Sequence, residues 1–433
     1  MRILLLNQAF YPDVVSTAQH LADLAEALVL GGNQVTVICS SRAYDQPQLR
    51  FLRRESWKGI EIIRLPCSGY GKQARWRRAA DFATFFLSCS QRLLALPPFE
   101  LVVCLTSPPL LSVLGAAYIK LKGGKLVSWV MDLNPDEAIA AGWLRRGSLS
   151  EKALSCLLRF SLTASSRIIA LDSFMKQRLT AKGVSAKLIS VVPPWSHDEA
   201  IAFDVTGRNR FRSRHGLVGK YVVMYSGNHS PCHPLDTLLQ AAESLARDDQ
   251  IVFCFVGGGS EFQKVRRFAA ARGLTNTVLL PYQPLSELRA SLSAADLHVV
   301  TMGDDYVGIV HPCKIYNVLA VGTPVLYIGP EVSHISVILQ ALPHKGSARM
   351  VQHGAVADAV RHIREEAACH FGACQPSTLV RQFSQDVILP NMLAVLESVG
   401  GCESNIASRI RSADKDLCTD ELAACGNRLA GAK

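Results

Sequence analysis

Short unbroken apolar runs recur along the chain, each separated from the next by a polar turn and a segment with apolar positions three and four apart. In the first half these runs are Arg2–Leu6, Val35–Cys39, Ile60–Leu65, Leu101–Leu105, Lys125–Val130 and Arg167–Ala170. They lack the apolar–polar alternation of a half-solvated strand, so they predict parallel strands covered on both faces. Between the first two, Leu21, Leu24, Ala25 and Leu28 place one apolar stripe on a helix from about Ser16 to Val29, and Gly31–Gly32 ends it. ISVVPPW, with Ser190–Pro194, closes this half, and the polar run SHDEAIAFDVTGRNRFRSRHGL follows. The plan then repeats. Tyr221–Ser226, Ile251–Val256, Thr277–Leu280, Leu297–Thr301 and Val325–Ile328 read as strands, and Asp236–Leu245 falls in a helix. Ser286 is expected just ahead of a further helix, with Glu287 in its first turn. Pro312–Cys313–Lys314 opens another, running through Ala320. The fold class is α/β, with two doubly wound parallel-sheet domains expected over 1–195 and 196–383. A helix spans 384–399, and from Gly400 the chain turns polar, so 400–433 reads as a loosely ordered tail.

Composition narrows the class. At 433 residues the chain is long enough for two or three domains, and 49% hydrophobic against 19% charged residues argue against disorder. No window reaches the ~18–20 apolar residues needed to span a bilayer. MRILLLNQAFYPD fits a buried strand better than a signal peptide, so a cytoplasmic protein is expected. Thirteen cysteines is an odd count, and no CxxC occurs. Cys39, Cys104 and Cys254 lie in strand-like runs, while Cys369/Cys374 and Cys418/Cys425 lack metal-ligand spacing. Neither a structural zinc nor a disulfide framework is expected. The net charge of +10 is lopsided: through Trp195 there are 24 Lys/Arg against 13 Asp/Glu, and beyond it 22 against 23. The candidate partners are an anionic membrane surface, a pyrophosphate-linked molecule or nucleic acid. No nucleic-acid motif accompanies the charge, so nucleic acid is not expected.

The chemistry concentrates in SLSAADLHVVTMGDDYVGIVHPCKIYNVLAVGTPVLYIGPE, from Ser291 to Glu331. Lys314 at a helix N-terminus is placed to hold phosphate, because free N–H groups, the helix dipole and an ammonium act together. The alternative is a solvated lysine at a helix start. PCKIY followed by LAVGTPVL is similar to the PSK-x-Y and LA-x-G-x-P elements of glycosyltransferase family 4, within the branch that builds colanic-acid-type exopolysaccharides and O-antigens. The resemblance covers roughly Arg2 to Val399. It implies a GT-B fold, in which two doubly wound domains face a cleft and the helix 384–399 packs back on the first. It also implies sugar transfer from a nucleoside-diphosphate donor, UDP- or GDP-linked, to a lipid-linked glycan acceptor, with retention and with neither metal nor other cofactor.

The same resemblance assigns places along the chain. Asp132, in VSWVMDLNPDEAIAAG, stands at a strand's carboxyl end beside the reacting carbon, where it orients the acceptor or acts as its base; otherwise it caps a turn, and Asp136 or Glu137 are weaker candidates. Small Ser16 and Thr17 replace a Gly-Gly pair at the first helix, an anion or acceptor loop, and His20 reads as a helix-surface residue. Gly227, Asn228 and His233 follow a strand where related enzymes clamp the diphosphate with Arg and Lys, which throws weight onto Lys314. Gly257, Gly258, Tyr282 and Gln283 frame the base, with Gly308 in the acidic loop of Asp304 and Asp305. The family's paired glutamates, eight apart, match Ile309 and Asn317, so both carboxylates are missing; Asn317 retains a hydrogen bond for ribose. The stretch GYGKQARWRRAADFATFFLSCSQRLLAL places Lys72, Arg75, Arg77 and Arg78 near Trp76, Phe82, Phe85 and Phe86. That is an interfacial helix for the cytoplasmic face of the membrane, or an ordinary core helix after a charged loop. Two other functions remain open: a nucleotide-sugar epimerase of the same fold, and a non-catalytic GT-B protein that binds another glycosyltransferase.

Overall fold

The computed structural model describes residues 1–44, 46–71, 75–196, 202–342, 348–369 and 378–401. In the first half the strands are β1 (Arg2–Leu6), β2 (Gln34–Ser40), β3 (Arg54–Trp57), β4 (Ile60–Leu65), β5 (Leu101–Cys104), β6 (Lys125–Trp129), β7 (Arg167–Ala170) and β8 (Ile189–Val191). They form one sheet in the order β3-β4-β2-β1-β5-β6-β7-β8. All neighbours are parallel except β3 and β4, a hairpin closed by Lys58–Gly59. Helices α1 (Ser16–Leu30), α2 (Arg75–Ala95), α3 (Ser112–Lys122), α4 (Asp136–Ala140), α5 (Leu149–Ala164) and α6 (Ser173–Ala181) connect the strands. The sequence pattern explains the layering. β1, β2 and β5 are buried along nearly their whole length, because helices cover both faces of a parallel sheet.

The second half repeats this with α7 (Val205–Arg214), β9 (Tyr221–Asn228), α8 (Asp236–Ser244), β10 (Ile251–Gly258), α9 (Phe262–Ala271), β11 (Thr277–Leu280), α10 (Leu285–Ser293), β12 (Leu297–Thr301), α11 (Lys314–Val321), β13 (Val325–Ile328), α12 (His334–Gln340), β14 (Ala348–Val351) and α13 (Val356–Ala368). Its sheet, β11-β10-β9-β12-β13-β14, is entirely parallel. Ser286 lies inside α10, not ahead of it, because Pro284 supplies the flanking residue. The last helix, α14 (Gln385–Gly400), returns to the first sheet, where the Lys125 ammonium donates to the Val399 carbonyl at 2.6 Å. The fold is GT-B: two doubly wound sheets with a cleft between their carboxyl ends. Among the described residues no helix is long and apolar enough to cross a membrane. Residues 402–433 lie outside the described residues.

The halves touch along one seam. The Leu133 N–H donates to the Ile309 carbonyl at 2.8 Å, and the Arg178 guanidinium to the Val307 carbonyl at 2.5 Å. Gly308 permits the approach: a Cβ there would stand 2.6 Å from the Phe174 carbonyl carbon, and its φ is +69°. Gly308 is therefore placed against the backbone of the opposite half.

Candidate active site at the cleft

Strand ends build the cleft. β6 runs out at Trp129, and the turn beyond it carries Asp132, whose N–H donates to the Thr106 hydroxyl at 3.1 Å. The Asp132 carboxyl accepts no hydrogen bond among the described residues. Burial, then the nearby negative charge of Glu137, raises its pKa to about 7, with Arg78 pulling the other way. The neutral acid and the carboxylate are therefore comparably populated at neutral pH. Asp132 does not cap α4, whose flanking residue is Pro135. Asp136 is ion-paired with Lys182 at 2.7 Å, and Glu137 accepts from the Asn134 amide at 2.8 Å, so both are engaged elsewhere.

On the opposite wall, Lys314 opens α11, and its ammonium donates to the Tyr225 hydroxyl at 2.6 Å while standing 4.1 Å from the Tyr225 ring centre. Burial lowers its pKa to about 7. The lysine sits against the end of β9: a Cβ on Gly227 would lie 3.5 Å from the Lys314 Nζ. β9 and β10 approach so closely here that a Cβ on Gly257 would stand 2.0 Å from the Gly227 carbonyl oxygen, which only glycine tolerates. The exposed Tyr282 lies over Gly258, its hydroxyl donating to the Gly258 carbonyl at 3.2 Å. Gln283 is half-buried beside it and donates to the Pro281 carbonyl. Asn228 is exposed at the end of β9, and Asn317 is half-buried on α11, three residues beyond Lys314.

The two histidines after β9 carry no charge at neutral pH. His233 is buried, pairs with the Thr301 carbonyl at 2.8 Å, and burial with the Lys314 charge holds its pKa well below the ordinary value. His229 behaves alike, at about 4. Both are neutral near pH 7, so Lys314 supplies the cationic charge at this end of β9. His20 is no surface residue: it is buried and bonded to the Ser16 and Trp195 carbonyls at 2.7 and 2.9 Å. The Cys313 thiol, which donates to the His311 carbonyl at 3.3 Å, lies near Ser16 across the seam and so brings the first loop to the start of α11; Thr17 is half-buried beside Ser16. Asp304 and Asp305 are exposed, as a solvated loop requires. Ile309 is buried. Tyr225, the partner of Lys314, was not singled out by sequence; its strand position gave no signal of the contact.

On the outer face, α2 splits the basic-aromatic stretch. Trp76 is 63% exposed with the Arg77 guanidinium 5.5 Å from its ring centre, and Leu87 and Leu94 are also exposed. Phe82 and Phe86 are half-buried, and Arg78 stands 5.2 Å from the Phe82 ring centre. Phe85 is fully buried with Cys89 and Leu93 against the sheet, which removes it from any exposed face: the helical period turns 85, 89 and 93 inward together. Lys72 lies outside the described residues, as does the side chain of Arg75.

One further cluster crosses the seam. Asp172 caps α6 by accepting from the Met175 N–H at 2.8 Å, and its other oxygen lies 2.8 Å from the His311 Nδ1. Burial pushes its pKa up, but the bonds and charge of His311 and the proximity of His334 leave it below the usual carboxylate value.

Residues 17–195 match the glycosyl transferase 4-like domain, and residues 207–341 match the glycosyl transferases group 1. A protein of Escherichia coli (strain K12) named as a colanic acid biosynthesis glycosyl transferase, WcaI, is 24% identical over 84% of this chain and 92% of its own. Sucrose-phosphate synthase from Thermosynechococcus elongatus shares the fold with a TM-score of 0.72 at 15% identity, over 92% of this chain and 99% of its own. Anabaena HepE, solved in complex with UDP-glucose, follows at 0.61 and 15%, over 97% and 100%. With both halves matched and the two-sheet cleft in place, the chain belongs to the GT-B glycosyltransferases of family 4.

Proposed function

We propose that this glycosyltransferase moves a sugar from a UDP- or GDP-sugar to a lipid-linked glycan in bacterial surface polysaccharide synthesis, with retention and without a metal in the transfer step. The observation that carries this is Lys314, lodged against Gly227 at the mouth of α11 and opposite the acceptor-side Asp132. The similarity to WcaI, named for colanic acid biosynthesis, supports the pathway class. HepE, solved with UDP-glucose, supports the donor class.

In this reading the base lies on Tyr282 and Gly258 near Gln283, the ribose reaches Asn317, and the diphosphate lies between Gly227, Asn228 and Lys314. As the bond from the sugar's anomeric carbon to the diphosphate breaks, negative charge collects on the leaving oxygen, where Lys314 and the N–H groups opening α11 stabilise it. The acceptor oxygen bonds the anomeric carbon on the face the diphosphate leaves, and its proton passes to the Asp132 carboxylate. His233, neutral, has a supporting place and not a charged one. The protein would work from the inner face of the cell membrane, held by the basic N-terminal half and the exposed Trp76.

The burial of Ile309, where the family carries a carboxylate, favours a second reading: a GT-B protein that binds donor without turning it over. A thermal-shift panel of nucleoside diphosphates and nucleosides, followed by a donor hydrolysis assay without acceptor, separates the two. A ligand that binds only the native state raises Tm. Sugar transfer predicts a rise with one diphosphate and slow hydrolysis of its sugar. A Tm rise with no turnover supports the binding protein, and no response to any nucleotide contradicts both.

A further inference from the structure

A recess opens in the first half at the carboxyl ends of β1, β2 and β4, beside the first turns of α2. Open α/β sheets bind ligands at this end of their strands. Gln8, just past β1, lines it. The Gln8 N–H donates to the Ser107 carbonyl at 2.6 Å, and its own carbonyl accepts from the Ser40 N–H at 2.8 Å. Thr106, next to Ser107, holds the Asp132 turn through its hydroxyl. The recess thus lies beside Asp132, and the Arg78 charge reaches that carboxyl, lowering its pKa against the effect of burial.

The lining is polar and under-used. Gln8 is 6% exposed, and its Oε1 has no hydrogen-bond partner. The last torsion of a glutamine is soft, so a small turn brings that oxygen onto a ligand. Arg78, Asp81 and Phe82 share one face of α2, three and four residues apart. Asp81 is committed to the rim: its carboxylate accepts from the Ser68 hydroxyl and from the Tyr70 and Gly71 N–H groups. Arg78 is left without a carboxylate among the described residues, flanked by the Phe82 ring at 5.2 Å. Arg42 is held by backbone alone. Its Nε and Nη1 donate to the Cys67 and Pro47 carbonyls at 3.0 and 2.8 Å, so its charge is fixed in place but not neutralised. Gly69 makes room for it: a Cβ there would stand 2.7 Å from the Arg42 Cζ.

We propose that this recess is the acceptor subsite and that it selects an acceptor sugar bearing a negative charge, a carboxylate or a phosphate, which Arg78 binds while Gln8 accepts from a sugar hydroxyl. The proposal rests on the sugar-transfer reading above and names the acceptor class for it. The two Nη groups of a guanidinium match the two oxygens of an oxyanion, and charge-assisted bonds of this kind are the strong ones. Arg42 adds a second positive charge to the same recess. An anion seated on Arg78 sets a neighbouring hydroxyl beside Asp132, whereas a neutral glycan leaves the guanidinium without a counter-charge. Arg78 is therefore a specificity-determining residue. Arg77, its neighbour in sequence, stands over the exposed Trp76 instead, so the two arginines serve different faces of α2.

The test is saturation-transfer NMR on the full chain, with UDP and GDP both present to occupy the proposed donor site. The probes are methyl glucuronide, glucose 1-phosphate and neutral methyl glucoside, with inorganic phosphate as a competitor. At least one sugar anion should bind about ten- to a hundredfold more tightly than methyl glucoside, and the tighter of the two tells carboxylate from phosphate. Arg78→Gln removes a side chain that makes no hydrogen bond among the described residues, so it should fold, respond to nucleoside diphosphate as the wild type does, and lose the preference. Arg78→Lys should keep part of it. A wild type that binds all three sugars alike overturns the proposal. So does an Arg78→Gln variant that keeps the preference, or inorganic phosphate that binds as tightly as the sugar anions. Donor hydrolysis is read on the same preparations. Hydrolysis without anion preference overturns the subsite alone, and anion preference without any response to nucleotide overturns the transfer reading.

Discussion

Asp132 and Lys314 hold matching places in the two halves, each just beyond the carboxyl ends of parallel strands, and burial acts on them with opposite sign. It raises the carboxyl to about 7 and lowers the ammonium to about 7. The N-terminal wall thus offers a group able to take a proton at neutral pH. The C-terminal wall offers one that becomes fully cationic when an anion arrives. The outer faces differ too. The first half carries 24 Lys/Arg against 13 Asp/Glu and an exposed tryptophan beside Arg77, whereas the second is nearly neutral at 22 against 23. The proposed donor site needs charge only inside the cleft, whereas the half proposed to face a membrane needs it outside.

The sharpest way to break this pairing is Asp132→Asn. The amide cannot accept the acceptor's proton, so kcat should fall by about 10²–10⁴, the range of general base catalysis. Donor affinity should stay within about twofold, because the proposed diphosphate site is on the other wall. Steady-state kinetics beside donor calorimetry would read the split; unchanged turnover makes Asp132 a turn residue. In the wild type, kcat/KM should decline with acid as Asp132 protonates below about 7.

The contrast between outer faces predicts a smaller effect. Each Lys or Arg near an anionic bilayer contributes about 1 kcal/mol, so replacing Lys72, Arg75 and Arg77 with Gln should weaken binding to anionic vesicles roughly a hundredfold at low salt. Co-sedimentation with anionic and neutral vesicles at two salt concentrations measures it. A wild type indifferent to lipid charge would leave α2 as a core helix with an exposed Trp76.

How much of this was legible in sequence depends on what each residue needed to know. Ile60–Leu65, Leu297–Thr301 and Val325–Ile328 form strands with the ends the apolar runs mark, because strands buried along most of their length leave little ambiguity of phase, and the half-buried edge strand Thr277–Leu280 keeps its predicted ends too. β3 and β14 escaped notice: both are short edge strands, and the exposed–intermediate alternation of Arg54–Trp57 carries no apolar run. Phe85 sits in a basic-aromatic stretch, yet helical phase sends it to the core. His20 looked polar and exposed because one of the two carbonyls its ring bonds belongs to Trp195, far along the chain. The sequence marked Asp132 and Lys314 each at its own strand or helix end. That they lie on facing walls follows only from the docking of the halves, as does the meeting of Asp172, His311 and His334.

The most direct test of the paired walls is the affinity of the preferred nucleotide sugar, whose diphosphate diester does not titrate near neutrality, measured by calorimetry from pH 6 to 9 in wild type and in Lys314→Ala. Lys314 has a depressed pKa in the free protein, and a bound anion restores its charged form. Affinity should therefore hold below pH 7 and fall by up to about tenfold per unit above it, as binding must first take up a proton. Lys314→Ala should bind about ten- to a hundredfold more weakly at pH 6.5, lose the pH dependence, and bind the nucleoside as the wild type does. A wild-type affinity flat across the range, or a variant that loses nucleoside and nucleotide sugar equally, would contradict the placement of the diphosphate on Lys314.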